Sequence, residues 1–223
     1  MRRIAMGCTI VLAAWAAAPG CGGRSTSVAT HAAAATAGPT ATDAWTDPSY
    51  HPSPTILMTV SVAPVPLTGL LADRADQGFE RAFVGMQGIQ VRLMPNMIRQ
   101  RMNGNRELIQ IMNRIQGAEY SPDAIAKVTL KTTFTGREYA DLRTAMVEPV
   151  VFFVPVQFSI ERTAKETRGM ILYRAFDMES GRILRQCRFT AQSTLPADQA
   201  EQKVLVDLIL AVADDFAGHF VAP

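Results

Sequence analysis

The sequence predicts an α/β (α+β) domain, a mixed β-sheet with helices packed against it, in the order β-α-β-α-β-β-β-β-α. Three observations lead there. Six short runs rich in Val, Ile, Phe and Thr read as strands. Between and after them, apolar residues recur at helical spacing over Leu70–Phe83, Met97–Ile115 and Ala197–Phe220. Finally, a chain of 223 residues that is 48% hydrophobic and 19% charged has the apolar content for one substantial core.

Ile56–Val62 is apolar and β-branched and ends at Pro64 and Pro66, which predicts the first strand. Leu70, Leu71, Ala75, Phe79 and Phe83 then mark a helix, broken by Gly88 before the alternating strand Ile89–Met94. Asn96, after Pro95, suits the N-cap of a second helix through Met97, Ile98 and Met102, interrupted near Gly104 and resuming over Glu107–Ile115. Ser121-Pro122-Asp123 opens a single turn, with Pro at the first helical position. Val128–Phe134 alternates as a third strand should, and Gly136 closes it. Strands over Val150–Ile160, Met170–Phe176 and Ile183–Thr190 follow. Asp177–Gly181 supplies turn chemistry between the last two. The final helix, Ala197–Phe220, aligns Leu205, Leu208, Ile209, Val212, Phe216 and Phe220.

Residues 149–160 carry no charge and contain Pro149 and Pro155, so they cannot form a spanning helix. At period two, Phe152, Val154, Val156, Phe158 and Ile160 share one face. That pattern fits a half-buried strand or an exposed patch for a partner or the bilayer surface. Pro155 points to an edge strand or a bulge.

The ends are of a different character. Arg2 and Arg3 precede an uncharged run, Ile4–Ala18, too short for the roughly 20 residues of a membrane-spanning helix. Small residues then lead to Ala18-Pro19-Gly20-Cys21, so residues 1–20 read as a secretory signal. With Cys21 directly after Gly20 the segment resembles a bacterial lipoprotein signal. That resemblance implies that Cys21 is diacylated and becomes the first residue. Ala18 stands where the pattern prefers Leu, and cleavage near Ala16–Ala18 by an ordinary signal peptidase is the alternative. Gly22 lacks the Asp that retains many such proteins at the inner membrane, which implies the periplasmic face of the outer membrane. Residues 21–54 then read as a lipidated Cys followed by an Ala/Thr/Pro-rich tether. Only Val28, Trp45 and Tyr50 are large and apolar there, too few to offset the entropy of ordering. The globular periplasmic domain is expected over 55–223.

Charge narrows the function classes. The formal net charge is +2, from 22 Lys and Arg against 20 Asp and Glu. Loss of residues 1–20 removes Arg2 and Arg3 and no acid, which leaves a neutral protein and no basis for a nucleic-acid binder. Three Cys are too few for a disulfide scaffold. The charges are unevenly placed: residues 79–115 hold six Arg against two Glu, and 197–221 hold one Lys against five acids. Opposed surfaces of this kind suit head-to-tail stacking of copies; the alternative is two ordinary solvent faces, with pairing within the molecule.

The strand–helix–strand–helix start, the capped turn, the β-meander, the terminal helix and the Asp177-x-x-Ser180-Gly181-x-x-Leu184 hairpin together resemble a known α/β lipoprotein domain. It is shared by the TolB amino-terminal domain, curli-secretion-channel lipoproteins and penicillin-binding-protein activators, with a related lipoprotein of exopolysaccharide export. The resemblance covers about residues 55–220 and implies a domain that binds partners or forms rings and is not a catalyst. The segment Arg137–Arg168 departs from it, being longer and more apolar than a strand connection requires.

No catalytic constellation is expected. His31, His51 and His219 have no metal-ligand spacing, and neither a Gly-x-Ser-x-Gly elbow nor a phosphate-cradling loop occurs. Cys187, on a strand face with Ile183, Arg185 and Phe189, reads as a small buried apolar residue. Asp214-Asp215 reads as a solvated face, since adjacent helical positions diverge by about 100°. The expectation is a non-enzymatic outer-membrane lipoprotein, without metal or cofactor, that binds or scaffolds a secretion, export or cell-wall assembly. The rivals are an oligomeric channel subunit that inserts strands from Val128–Ile160, and an enzyme or small-ligand carrier with a pocket that the sequence does not reveal.

Overall fold

The computed structural model describes residues 38–51, 58–93, 100–101, 104–118, 120, 122–145 and 151–221. Strands β1 (Thr40–Thr46) and β2 (Met58–Val62) lead to helix α1 (Gly69–Val84) and strand β3 (Ile89–Leu93). Then come α2 (Arg106–Gly117), the single turns α3 (Pro122–Ile125) and α4 (Leu130–Thr133), and α5 (Gly136–Ala145). Strands β4 (Val151–Arg162), β5 (Thr167–Asp177) and β6 (Ile183–Ser193) precede the last helix, α6 (Ala197–Phe220). The residues assigned to the signal, Cys21 and most of the tether lie outside the described residues, as do the Asn96 cap and the helix start at Met97.

The strands form one mixed sheet in the order β1-β6-β5-β4-β2-β3. β2 pairs in parallel with both β3 and β4, and the other neighbours are antiparallel. Helices cover both faces, which confirms the predicted class. α1 and α6 pack on the first face through a cluster of rings in which Phe153 lies 4.9 to 5.9 Å from Phe83, Tyr173, Phe79 and Phe216. Each such ring, fully buried, contributes about 2–3 kcal/mol. Gly169 lets α6 lie close over β5, because a Cβ there would sit 2.4 Å from Val204 Cγ1. The second face buries Phe152, Val154, Leu172 and Phe176 under α2, α4 and α5, with Leu108, Ile111, Leu130 and Leu142.

Two predicted elements differ. Val128–Phe134 is not a strand: only Thr129 makes a bridge, to Arg182, and Leu130–Thr133 is a helical turn. Thr129 and Thr132 cap each other's backbone, and Leu130 and Phe134, four residues apart, bury together in the second core. Gly136 opens α5, where Thr135 and Glu138 form another reciprocal cap at 2.8 and 3.3 Å. The apolar length of Arg137–Arg168 is therefore a helix followed by β4.

The second correction is β1, in a stretch assigned to the tether. Thr40–Thr46 pairs with Thr190–Arg185 as the sheet edge. An edge strand needs one hydrogen-bonded ladder and little buried surface, so a sequence poor in large apolar residues suffices. Its exit is fastened: Asp47 N–H donates to the Leu184 carbonyl at 2.9 Å, and Arg182 reaches Asp47 Oδ2 at 2.6 Å.

β4 carries the bulge that Pro155 suggested, with a register shift between Pro155 and Gln157. The five residues expected on one face are thereby split. Phe152, Val154 and Val156 enter the second core and Phe158 the first, with Ile160 packed against it. Residues 151–156 and 158 are buried, so this stretch is core and not an exposed patch. A similar shift in β6 sends Ile183 to the second core while Leu184, Cys187 and Phe189 face the first.

Candidate functional site

β4, β5 and β6 are 11 or 12 residues long, about 35–40 Å of strand. α6, of 24 residues, matches that length at about 36 Å. The helices of the second face are shorter, 12 residues in α2 and 10 in α5, and they cover the half of the sheet near Phe152 and Phe176. Among the described residues no helix covers the other half. Strand alternation puts Thr40, Ser159, Glu161, Arg168, Met170, Thr190 and Gln192 there, around a depression of about 580 Å³. Its cations are engaged: Arg168 lies 2.6 Å from Glu166, and Arg188 lies 3.1 Å from Asp43. A surface of hydroxyls, an amide, engaged cations and the exposed Glu161 offers hydrogen bonds to a partner.

A polar cluster lies on the opposite face, under α6. Asp215 accepts from Arg185 Nε at 3.0 Å and Nη2 at 2.6 Å, and also from the Tyr173 hydroxyl. Arg185 Nη1 donates to Thr46 Oγ1 at 2.6 Å, so four elements, β1, β5, β6 and α6, meet at one guanidinium. Burial pulls that guanidinium down, and the bonds and charge of Asp215 more than offset it, leaving it above its ordinary value. Burial, followed by the Asp215 carboxylate, holds the Tyr173 hydroxyl well above the usual phenol range. A carboxylate gripped by a two-pronged guanidinium is a clasp between layers, not an available acid or base.

This corrects the reading of Asp214-Asp215. Asp214 is exposed, but Asp215 turns inward to the clasp. His219 joins its rim, with Nδ1 2.7 Å from the Asp215 carbonyl oxygen. Cys187 is buried as expected, and burial pushes its thiol up to about 11. Its strand-face neighbour is not Ile183, which the β6 shift moves across the sheet. His51 is exposed, and His31 and Cys21 lie outside the described residues. Among the described residues, no three His, Cys, Asp or Glu side chains come together to hold a metal ion. No described helix is long and apolar enough to cross a membrane.

The acidic excess of 197–221 is largely neutralised within the molecule. Lys203 holds Asp207 at 2.8 Å, Arg162 stands 4.0 Å from both Asp198 and Glu201, and Arg185 takes Asp215. On the basic side, Arg114 bonds Glu138 at 2.7 Å.

No family model matches this chain, and no curated protein matches it by sequence. Solved structures of similar shape include the hypothetical protein CT253 from Chlamydia trachomatis, with 10% identity over 70% of this chain and 95% of that one, at a TM-score of 0.39. The PelC dodecamer from Paraburkholderia phytofirmans matches at 8% identity over 84% of this chain and 100% of its own, TM-score 0.39. Lipoprotein GNA1162 from Neisseria meningitidis matches at 14% identity over 72% and 99%, TM-score 0.34. Likenesses this loose do not set a family.

Proposed function

We propose that this chain is a non-enzymatic lipoprotein, anchored by a lipid on Cys21 at the periplasmic face of the outer membrane, whose folded part binds or scaffolds a cell-envelope assembly. The observation that carries the reading is the amino-terminal pattern: Arg2 and Arg3, the short apolar run Ile4–Ala18, and Cys21 after small residues. The open sheet face supports binding over catalysis, since its cations are paired and most of its remaining groups are hydroxyls, an amide and a thioether. The position of β1 tightens the anchor. Thr40 begins the sheet nineteen residues after Cys21, so the fold stays within about 65 Å of the lipid even with that segment fully extended.

Metabolic labelling with a lipid precursor, comparing the natural chain with Cys21→Ala, tests the anchor. The natural chain is expected to take label and fractionate with membranes, and the variant to lose both. Equal labelling and fractionation of the two would sink the reading.

A further inference from the structure

Among the described residues, four of the five large hydrophobic side chains that remain exposed belong to α1 and α6: Leu70, Val84, Val206 and Leu210. Val206 lines a groove of about 320 Å³ between the two helices, and Leu210 is exposed one turn further along α6. α1 and α6 run parallel, and two contacts fix their relative height. Gly78 lies against Ile209, where an added Cβ would be 2.5 Å from Cδ1, and Phe83 lies 4.9 Å from Phe216. Between these two contacts, Arg81 stands level with residues 213–214.

Arg74 and Arg81 on α1 and Asp214 on α6 are all exposed, and none has a side-chain partner among the described residues. They contrast with Asp198, Glu201, Asp207 and Asp215, which all have cations within 4.0 Å. The outer surface of this layer therefore has unpaired positive charge on one helix, unpaired negative charge at the same height on the other, and aliphatic side chains between.

We propose that this surface is an isologous interface with a second copy of the chain, about a twofold axis parallel to the groove. Such an axis keeps heights unchanged and exchanges the helices, so α1 of each copy lies over α6 of the other. Arg81 then faces the partner's Asp214, twice by symmetry. Val206 and Leu210, exposed in the single copy, then meet the partner's α1 and leave water. The matched heights favour a second copy over an unrelated partner, since only the twofold operation uses both charges of one surface at once. A single exposed ion pair adds little, but here each contact is made twice around an apolar centre. The proposal gives self-association a surface and does not depend on the lipid, so loss of one reading leaves the other standing.

Sedimentation equilibrium of the mature lipoprotein in mild detergent tests it. The natural chain is expected to populate a dimer. Arg81→Asp and Asp214→Arg should each weaken dimerisation about 10- to 100-fold, by setting like charges opposite one another. The combined chain, Arg81→Asp with Asp214→Arg, should return to within about threefold of the natural constant, because the reversed pair is again complementary. Leu210→Glu is a second probe and should weaken the dimer without lowering the melting temperature, since that side chain is exposed in the single copy. A strictly monomeric natural chain overturns the proposal. So does association of any size that ignores the single reversals and Leu210→Glu, or a combined variant that stays dissociated.

Discussion

The two faces of the sheet are covered in different ways. On the first, α6 runs the length of the strands with the 16-residue α1 beside it, and together they close over a continuous cluster of rings from Phe79 to Phe220. On the second, among the described residues, a helix of 12 residues, two single turns and a helix of 10 cover only half, and the remainder presents threonines, a glutamine and charged side chains. A long helix buries one apolar stripe along its whole length and leaves the sheet no margin. A cover assembled from short capped pieces ends where its last cap ends. The first face is thus built for stability, and the second leaves surface to offer a partner.

The sharpest way to break this comparison is on β4, where adjacent residues face opposite cores. Phe153 touches four rings of the first core, whereas Phe152 has one ring neighbour, Phe176, at 6.4 Å. Phe153→Ala is expected to cost about 5 kcal/mol and Phe152→Ala about 3 kcal/mol, the two ends of the range for removing a buried Phe. Urea unfolding of both variants checks this. Equal losses, or a larger loss for Phe152→Ala, would mean that the second cover is as firm as the first.

The faces were also unequally legible in the sequence. Leu205, Leu208, Ile209, Val212 and Phe216 announce α6 because a helix that packs along its whole length shows its period plainly. The hairpin at Asp177–Gly181 is equally plain: Asp177 accepts from the backbone of Glu179 and Ser180, and Gly181 takes φ +78°. Val128–Phe134 misleads because Leu130 and Phe134, four apart, satisfy period two as well as a helical turn. The signals that decide it are the caps, Thr129 with Thr132 and Thr135 with Glu138, which are local chemistry and not periodicity. β1 is hidden for another reason: its stability comes from a backbone ladder to β6, which leaves no apolar pattern in Thr40–Thr46. Neither the β4 bulge nor the pairing of Asp215 with Arg185, thirty residues apart, can be read from spacing, since both depend on which strands become neighbours.

Asp214 and Asp215 extend the comparison to charge. Removing the Asp215 carboxylate leaves the largely buried Arg185 guanidinium and the Tyr173 hydroxyl without their shared acceptor. Asp215→Ala is expected to cost about 3 kcal/mol, and Asp214→Ala to stay within about 0.5 kcal/mol, measured by thermal unfolding of the single copy. Comparable losses at the two positions would show that the clasp contributes no more than a surface charge.

The smallest effect separates the faces by pH. Cys187 faces the first core, and burial holds its thiol near 11 in place of the ordinary 9.0. The unfolded chain therefore releases this proton first as pH rises. Between about 9 and 11 the folded state binds more protons than the unfolded one, so stability falls with rising pH across that window. Between pH 9 and 10 the loss should be about 1 kcal/mol, and below about pH 8 the thiol should contribute no slope. Tyr173, raised well above 10 under the same helix, adds to the decline only at still higher pH. Cys187→Ala lowers stability at every pH through the cavity it leaves, but should flatten the segment between pH 9 and 10. Urea midpoints at pH 8, 9 and 10 for both chains separate the two effects. Parallel curves would mean that water reaches the thiol, and that the long helices seal the first face less completely than their packing implies.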